Sequence, residues 1–246
     1  LRGGGAPQGG RGGTNPQQIG LGVSLGTIDV IHTQGAPQST GKQDDLMIQG
    51  DGFFVLSNVP DPTDTGVEDV QIRYSRAGAF RFLPFVKDDG TEVNYLVNPA
   101  NGMFVMGFQP DANGEEVTDD YGTISIDDDA KSFSIDIYGY VYYVDSAGEE
   151  KLAGQIAIAK FTNPGGLEKV GENMYQYAPA AGEEAGQETS GLYLGGFPGE
   201  DGRGTIIPGA LEMSNVELAM EFTDMIVTQR GFQANARIIS VSDEML

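Results

Sequence analysis

The last 33 residues constrain this chain more than any other part of it. Ser214 to Leu246 reads SNVELAMEFTDMIVTQRGFQANARIISVSDEML, which predicts one long helix. Leu218, Phe222, Met225, Phe232, Ala236, Ile239 and Leu246 follow alternating three- and four-residue steps, interrupted only by Gln229 and Asp243. That spacing is the narrow seam of a coiled coil, not the wider stripe of a helix lying on a sheet. Ser214 is placed to cap the helix, and Glu217 three residues later completes a capping box. At 1.5 Å per residue such a helix spans roughly 48 Å. The remainder of the chain is β-rich and glycine-rich, so no other segment supplies a partner helix. The pattern points to assembly rather than to catalysis.

Charge narrows the partners. The chain carries 36 acidic and 14 basic residues among 246, a net charge of −22. Such a field repels phosphate backbones and anionic membrane surfaces, which argues against nucleic-acid binding. No apolar run approaches the ~18 residues of a membrane span. Cysteine is absent, which removes disulfides and thiolate chemistry. Glycine, 37 of 246 residues, is about twice its average usage and suits short strands joined by tight turns.

Residues 1–20 (LRGGGAPQGGRGGTNPQQIG) are low in complexity and cannot bury enough apolar area to fold alone. They read either as a flexible tail or as an extended arm that orders against neighbours. Alternation of apolar with small or polar residues begins at Ile19–Ile31. Asp45–Leu56 reads as two strands around Gly50-Asp51-Gly52, a hairpin or bulge signal. Further strands are expected at Tyr74–Phe82, Tyr95–Val97, Met103–Phe108, Phe133–Ile137, Tyr140–Val144, Gln155–Phe161 and Leu167–Tyr175, with a last one around Ile206–Leu211. Residues 109–130 read as an acidic, turn-rich connection. Strands at this spacing belong to an all-β sandwich or barrel. The expected fold is mainly β, an elongated all-β domain of short strands with a long C-terminal coiled-coil-type helix. The expected division is an arm at 1–20, a single β domain at 21–213 and a helix at 214–246.

Catalytic signals are weak. His32 is the only histidine, so neither a second imidazole nor a His-rich metal site is possible. It reads as a structural or solvent-facing residue. The acids cluster in turns rather than in a pattern that marks a glycosidase pair. Asp111-Ala112-Asn113-Gly114 and Asp127-Asp128-Asp129 invite a calcium reading, but glycine stands fourth rather than sixth, so the EF-hand match fails. Solvated acidic loops or an irregular calcium site remain. The glycines at 3–5 and 9–10 lack the strand-then-helix context of a phosphate cradle. No catalytic residue, cofactor or metal ligand is assigned. Four methionines, Met213, Met220, Met225 and Met245, lie in or beside the terminal helix, as ordinary core or as an interface able to repack. Tyr138 and Tyr140 flank Gly139 at an aromatic hairpin tip, either folded over its own sheet or touching a neighbouring subunit.

Four blocks, in order, carry a family resemblance. LEMSNVELAMEFTDMIVTQRGFQANARIISVSDEML at 211–246 resembles the C-terminal signature of the bacterial flagellar rod–hook family. NPQQIGLGVSLGTIDVIHTQGAPQSTGKQDDLMIQGDGFFVL at 15–56 is similar to the segment after that family's first helix, and YSRAGAF at 74–80 and GLEKVGENMY at 166–175 to internal landmarks. Within the family, GTIDVIHTQG and QRGFQAN look more like the hook subunit, with the distal rod subunit as the alternative. The resemblance implies an extracellular homopolymer of the flagellum, a curved hollow tube acting as a universal joint between rod and filament. It implies helices lining the inner wall, β domains outside, and export through the flagellar type III apparatus. Its implied partners are the subunit itself, the distal rod protein, the hook cap and the hook–filament junction proteins.

The family's Asn-rich N-terminal helix does not precede the glycine-rich stretch, so the sequence reads as a piece of a longer subunit. Phe108–Ile124 reads as a loop where longer hook subunits insert a second β domain, so one outer domain is expected. Without cysteine, cohesion between subunits must be non-covalent. A directional helical seam suits a rigid inner layer, and hydrated carboxylates suit an outer layer that shifts. The reading from a different class is an acidic, calcium-binding surface or adhesion protein.

Overall fold

The computed structural model describes residues 24, 26, 28, 30–61, 70–86, 91–111, 116–182, 188–189, 192–193 and 195–245. The chain divides into two units, Leu1–Ile31 and His32–Leu246. The glycine-rich segment 1–20 lies outside the described residues, as does most of the strand expected at 19–31. The second unit is mainly β and ends in one long helix.

The strand Phe53–Ser57 organises the main sheet, and all five of its residues are buried. Successive side chains point to opposite faces. Phe54 and Leu56 join Leu46, Phe80, Val105 and Ile156 on one side. Phe53 and Val55 join Tyr74, Met106, Phe108 and Phe161 on the other. A strand covered on both faces has no polar side to show, which is why FFVL is a continuous apolar run. Its antiparallel neighbours are Ile72–Ser75, Phe104–Pro110 and Ile158–Ala159. From Phe104–Pro110 the sheet runs on through Glu150–Ile156 and Tyr140–Val144 to Ser132–Ile135. From Ile72–Ser75 it runs through Met174–Gln176 to Glu168–Gly171.

Two sequence expectations change. Gly50-Asp51-Gly52 does not close a hairpin: Leu46–Gln49 pairs with Thr205–Pro208 in a separate two-stranded sheet, while Phe53–Ser57 stays in the main one. The turn is a corner between sheets, and its positive φ angles (108° at Gly50, 143° at Gly52) are ones glycine adopts without a steric penalty. The interval between Phe108 and Ile124 is not only a loop either. It contains the strand Val117–Thr123, antiparallel to Phe104–Pro110. The sequence VTDDYGT masks that strand. Tyr121 is buried while Asp120 is exposed, and among the described residues the strand pairs on one side only, where charge protects a sheet margin.

The entering and leaving segments of the unit are zipped together. Pro37–Ser39 pairs antiparallel with Ala210–Glu212. Beyond it, the Met213 amide donates to the Ala36 carbonyl at 2.9 Å. Asn215 Nδ2 donates to both Thr33 O (3.0 Å) and Thr33 Oγ1 (2.9 Å). This zipper keeps the chain extended through Asn215, so the helix begins later than Ser214 and spans Leu218–Glu244, about 40 Å at 1.5 Å per residue. The capping box expected of Ser214 and Glu217 does not form. Ser214 Oγ accepts the Val216 amide at 3.3 Å, and Glu217 stands at the N-cap without a side-chain bond to the helix.

Candidate assembly interface

The terminal helix contributes no buried residue. Of the sequence-assigned seam, Leu218 is 68% exposed, Phe222 58%, Met225 53%, Phe232 77% and Ile239 71%. Ala236 is exposed as well, and Leu246 lies outside the described residues. Three of the helix hydroxyls turn inward onto their own backbone: Thr223 and Thr228 donate to the carbonyls of Ala219 and Asp224 at 2.8 Å, and Ser240 to Ala236 at 3.1 Å. The helix therefore needs no polar partner for them. Met213, Met220, Met225 and Met245 are 50–82% exposed, so they are not core of the β unit.

The helix carries a second seam that the sequence reading missed. Met220, Val227, Ala234 and Val241 recur every seven residues, with Gly231, Ile238 and Met245 at the intermediate steps and Asp224 interrupting the first of them. Met220, Val227, Ile238, Val241 and Met245 are all more than half exposed. Met220, Val227, Ala234, Ile238 and Val241 each lie two residues beyond a member of the first seam, and Gly231 and Met245 two beyond its interruptions, Gln229 and Asp243. At about 100° per residue that is about 200° around the helix, on its opposite face. The seven-residue recurrence was the available signal, but the larger side chains of the first seam conceal it.

The strand that precedes the helix is tied to the rest of the β unit by a part-buried ion pair. Arg76 Nε lies 2.7 Å from Glu212 Oε2, with side-chain exposures of 18% and 12%. The rest of the guanidinium donates to Gly52 O (3.2 Å) and Gly50 O (2.8 Å), the carbonyls of the sheet corner. The other Glu212 oxygen accepts the Gly35 amide at 2.8 Å. One pair thus joins the corner, the entering segment and the strand that leads into the helix.

The hairpin tip forms as expected. Ser132–Ile135 and Tyr140–Val144 pair antiparallel around a turn closed by the Gly139 amide on Asp136 O (2.9 Å). Ile137 and Tyr138 are half exposed, Tyr140 is half-buried, and the Tyr140 and Tyr142 rings lie 6.2 Å apart, tilted by 31°. His32 sits edge-on to Phe53 (5.5 Å) and Tyr175 (5.2 Å). Burial, then the Arg76 charge, hold its pKa below the ordinary value.

Among the described residues, no group of three or more His, Asp or Glu side chains converges to hold a metal ion. Asp127 of the acidic triplet accepts the Tyr143 hydroxyl at 2.9 Å. Burial first, then that bond and the Asp127 charge, push the Tyr143 phenol up to about 12. Asp128 accepts the Asn94 amide at 3.4 Å. No helix among the described residues is long and apolar enough to cross a membrane.

The exit strand of the β unit thus leads into a helix that buries none of its described residues. Residues 207–246 match the family described as flagellar basal body rod FlgEFG protein C-terminal. The chain is 43% identical to the flagellar basal-body rod protein FlgG of Bacillus subtilis, over 96% of this chain and 75% of that protein. It is 33% identical to the rod protein FlgG of Borreliella burgdorferi, over 93% of this chain and 72% of the relative. It is 26% identical to the flagellar hook protein FlgE of the same organism, over 100% of this chain and 87% of the relative. The chain belongs to the flagellar rod–hook basal body protein family. It is a structural protein of the flagellar rod or hook.

Proposed function

We propose that this chain is part of a distal rod subunit, which polymerises with its own copies into the hollow shaft of the flagellar basal body. The observation that carries the assembly reading is the terminal helix, exposed along its whole described length and apolar on two opposite faces. A helix in a closed cylindrical layer has neighbours on both sides, and two seams at heptad spacing suit that position. The rod is preferred to the hook because the match to the Bacillus subtilis rod protein is stronger, and because within Borreliella burgdorferi the rod relative is 33% identical against 26% for the hook. The joint suits a shaft that transmits torque without bending. Arg76 and Glu212 fix the strand that leads into the helix through one charged and three backbone contacts. Export by the flagellar type III apparatus follows from the same reading.

The hook remains the second reading. GTIDVIHTQG at 26–35 and QRGFQAN at 229–235 favour it. Immunogold electron microscopy of flagella from the source cells, with antibodies to this chain, separates the two. Label on the straight shaft within the envelope is the expected result. Label on the curved segment outside the cell would move the assignment to the hook. Label scattered over the cell surface would overturn both.

A further inference from the structure

A pocket of about 300 Å³ opens beside the Arg76–Glu212 pair. It has room for a side chain but not for a folded element. Its floor is aromatic: Phe53 and Phe161 line it, both buried, with ring centroids 6.0 Å apart. Its rim carries Arg76, Lys160 and the half-buried His32. Asp51 is the one acid among the described lining residues.

That rim runs against the composition of the chain. Acidic residues outnumber basic ones 36 to 14, yet here two cations stand against one carboxylate. Glu212 takes only the Nε edge of the guanidinium. Each terminal nitrogen of Arg76 donates to a corner carbonyl, Gly52 or Gly50, and carries a second N–H. The Arg76 side chain keeps 18% exposure, so solvent reaches it. The half-buried Lys160 ammonium adds a second positive charge.

A cationic rim over an apolar floor suits a carboxylate on an apolar stem. The subunit's own copies carry that chemistry. In a homopolymer of so acidic a chain, carboxylates come to the contacts between copies, and a cationic pocket turns one such contact from repulsive to attractive. The position agrees. Arg76 lines the pocket and also fixes the strand that leads into the exposed helix, so the pocket adjoins the surface assigned to assembly.

We propose that this pocket receives a carboxylate side chain of a neighbouring copy in the polymer, held by the Arg76 guanidinium and the Lys160 ammonium with its stem on Phe53 and Phe161. The occupant rests on the polymer reading; the preference of the pocket for a carboxylate does not.

His32 reports on the pocket. Burial and then the Arg76 charge lower its pKa, and Lys160, Asp51 and Tyr175 are its other titratable neighbours. An anion beside Arg76 should raise it. The test is proton NMR of the whole chain, titrated with acetate and with benzoate against chloride at equal ionic strength. Both carboxylates should shift the imidazole signal saturably and raise its midpoint pH. Benzoate, whose ring reaches the floor, should bind about tenfold more tightly than acetate. Lys160→Gln keeps a donor for the Asp201 carbonyl and should weaken benzoate about fivefold. A response to acetate and benzoate no different from chloride, or a benzoate affinity unchanged by Lys160→Gln, would overturn the pocket.

The source of the carboxylate is read in flagellar structures isolated from the source cells and treated with a carbodiimide, which condenses a carboxylate with an amine in contact. The expected product is an amide joining Lys160 to an Asp or Glu of a second copy, absent when the subunits carry Lys160→Gln. A link from Lys160 to a different protein, or no link between chains in structures that contain this one, would overturn the second copy as occupant. Absence of the chain from those structures would overturn the polymer reading and this occupant together.

Discussion

Arg76 Nε and Glu212 Oε2 lie 2.7 Å apart although 136 residues separate them in the chain. Removing either partner strands several groups together. Arg76→Ala leaves the Glu212 carboxylate largely buried without its cation, and the Gly50 and Gly52 carbonyls without their guanidinium donors. For a pair that retains some solvent contact, the loss should be about 2–3 kcal/mol. Glu212→Gln keeps an acceptor for the Gly35 amide and should cost about 1 kcal/mol. Urea denaturation measures both, read from the midpoint at constant slope. A loss below about 0.5 kcal/mol for Arg76→Ala would remove the pair as the joint's main tie.

Gly78 tests how closely the corner is packed. A Cβ placed there would stand 1.8 Å from the Leu46 carbonyl oxygen and 3.0 Å from the Phe54 ring. The Leu46 amide is itself bonded to Gly78 O at 2.9 Å, so the two backbones cannot separate without breaking that bond. Gly78→Ala should destabilise the β unit by about 3 kcal/mol, the upper range for added bulk in a packed site. Gly231→Ala is the contrasting case, since nothing lies within 4 Å of a Cβ there and the helix gains propensity. A thermal melt that shows similar changes for the two would contradict the packing described.

The imidazole of His32 makes stability depend on pH in a definite direction. Its folded pKa is lowered, by burial and then by Arg76, from an ordinary value of 6.5. The unfolded chain therefore takes up a proton at higher pH than the folded one. The contribution is fully present above the unfolded pKa and is lost as pH falls through it toward the folded value. Stability should thus decline as pH drops below 6.5, before most carboxylates titrate. His32→Gln should flatten that part of the profile. Because His32 is the only histidine, one imidazole signal in a proton NMR titration reads the folded pKa directly. Arg76→Ala should move that signal's midpoint upward.

The strands that were readable from sequence are those whose pattern is set by their own neighbours. Phe133 and Ile135 alternate with serines at the sheet margin, and Ser132–Ile135 is a strand. The turn at 98–102 joins Glu92–Val97 to Phe104–Pro110 as its composition implies. What was hidden depends on distant partners. Whether Gly50-Asp51-Gly52 is a hairpin or a corner is decided by Thr205–Pro208, more than 150 residues away, which claims Leu46–Gln49. The helix start was misread for the same reason, since Asn215 is held by Thr33. Of the interface, the spacing of the larger side chains disclosed one seam. The second is written in alanine, glycine, valine, methionine and one isoleucine, and Asp224 interrupts it, so it gives little contrast. Arg76 carries no local signal, because it matters only through groups remote in the chain.

The two seams make opposite predictions for folding and for assembly. Every described residue of the helix is exposed, so glutamate at Phe222, Phe232 or Ile239 has no core to disrupt. Each of these should leave the stability of the β unit, read from its thermal melt, within about 0.5 kcal/mol of wild type, as surface changes do. In the polymer the same glutamates would be buried without a partner, and incorporation into flagellar structures should be abolished. If only the first seam packs, Val227→Glu and Ile238→Glu face solvent in the assembly and should be tolerated. If the helix has neighbours on both faces, they should be as damaging as Phe232→Glu. Gly231 sharpens the comparison. Alanine there should stabilise the helix by about 0.5–1 kcal/mol in the free subunit, yet a methyl group on a close-packed second seam should hinder incorporation. The measurement is motility and basal-body electron microscopy after expression of each variant in the full-length subunit, beside the melt of the purified chain. Tolerance of Val227→Glu, Ile238→Glu and Gly231→Ala would reduce the interface to one face. Unfolding of the β unit by any of the first-seam glutamates would place the helix in its core and remove the assembly interpretation of its exposure.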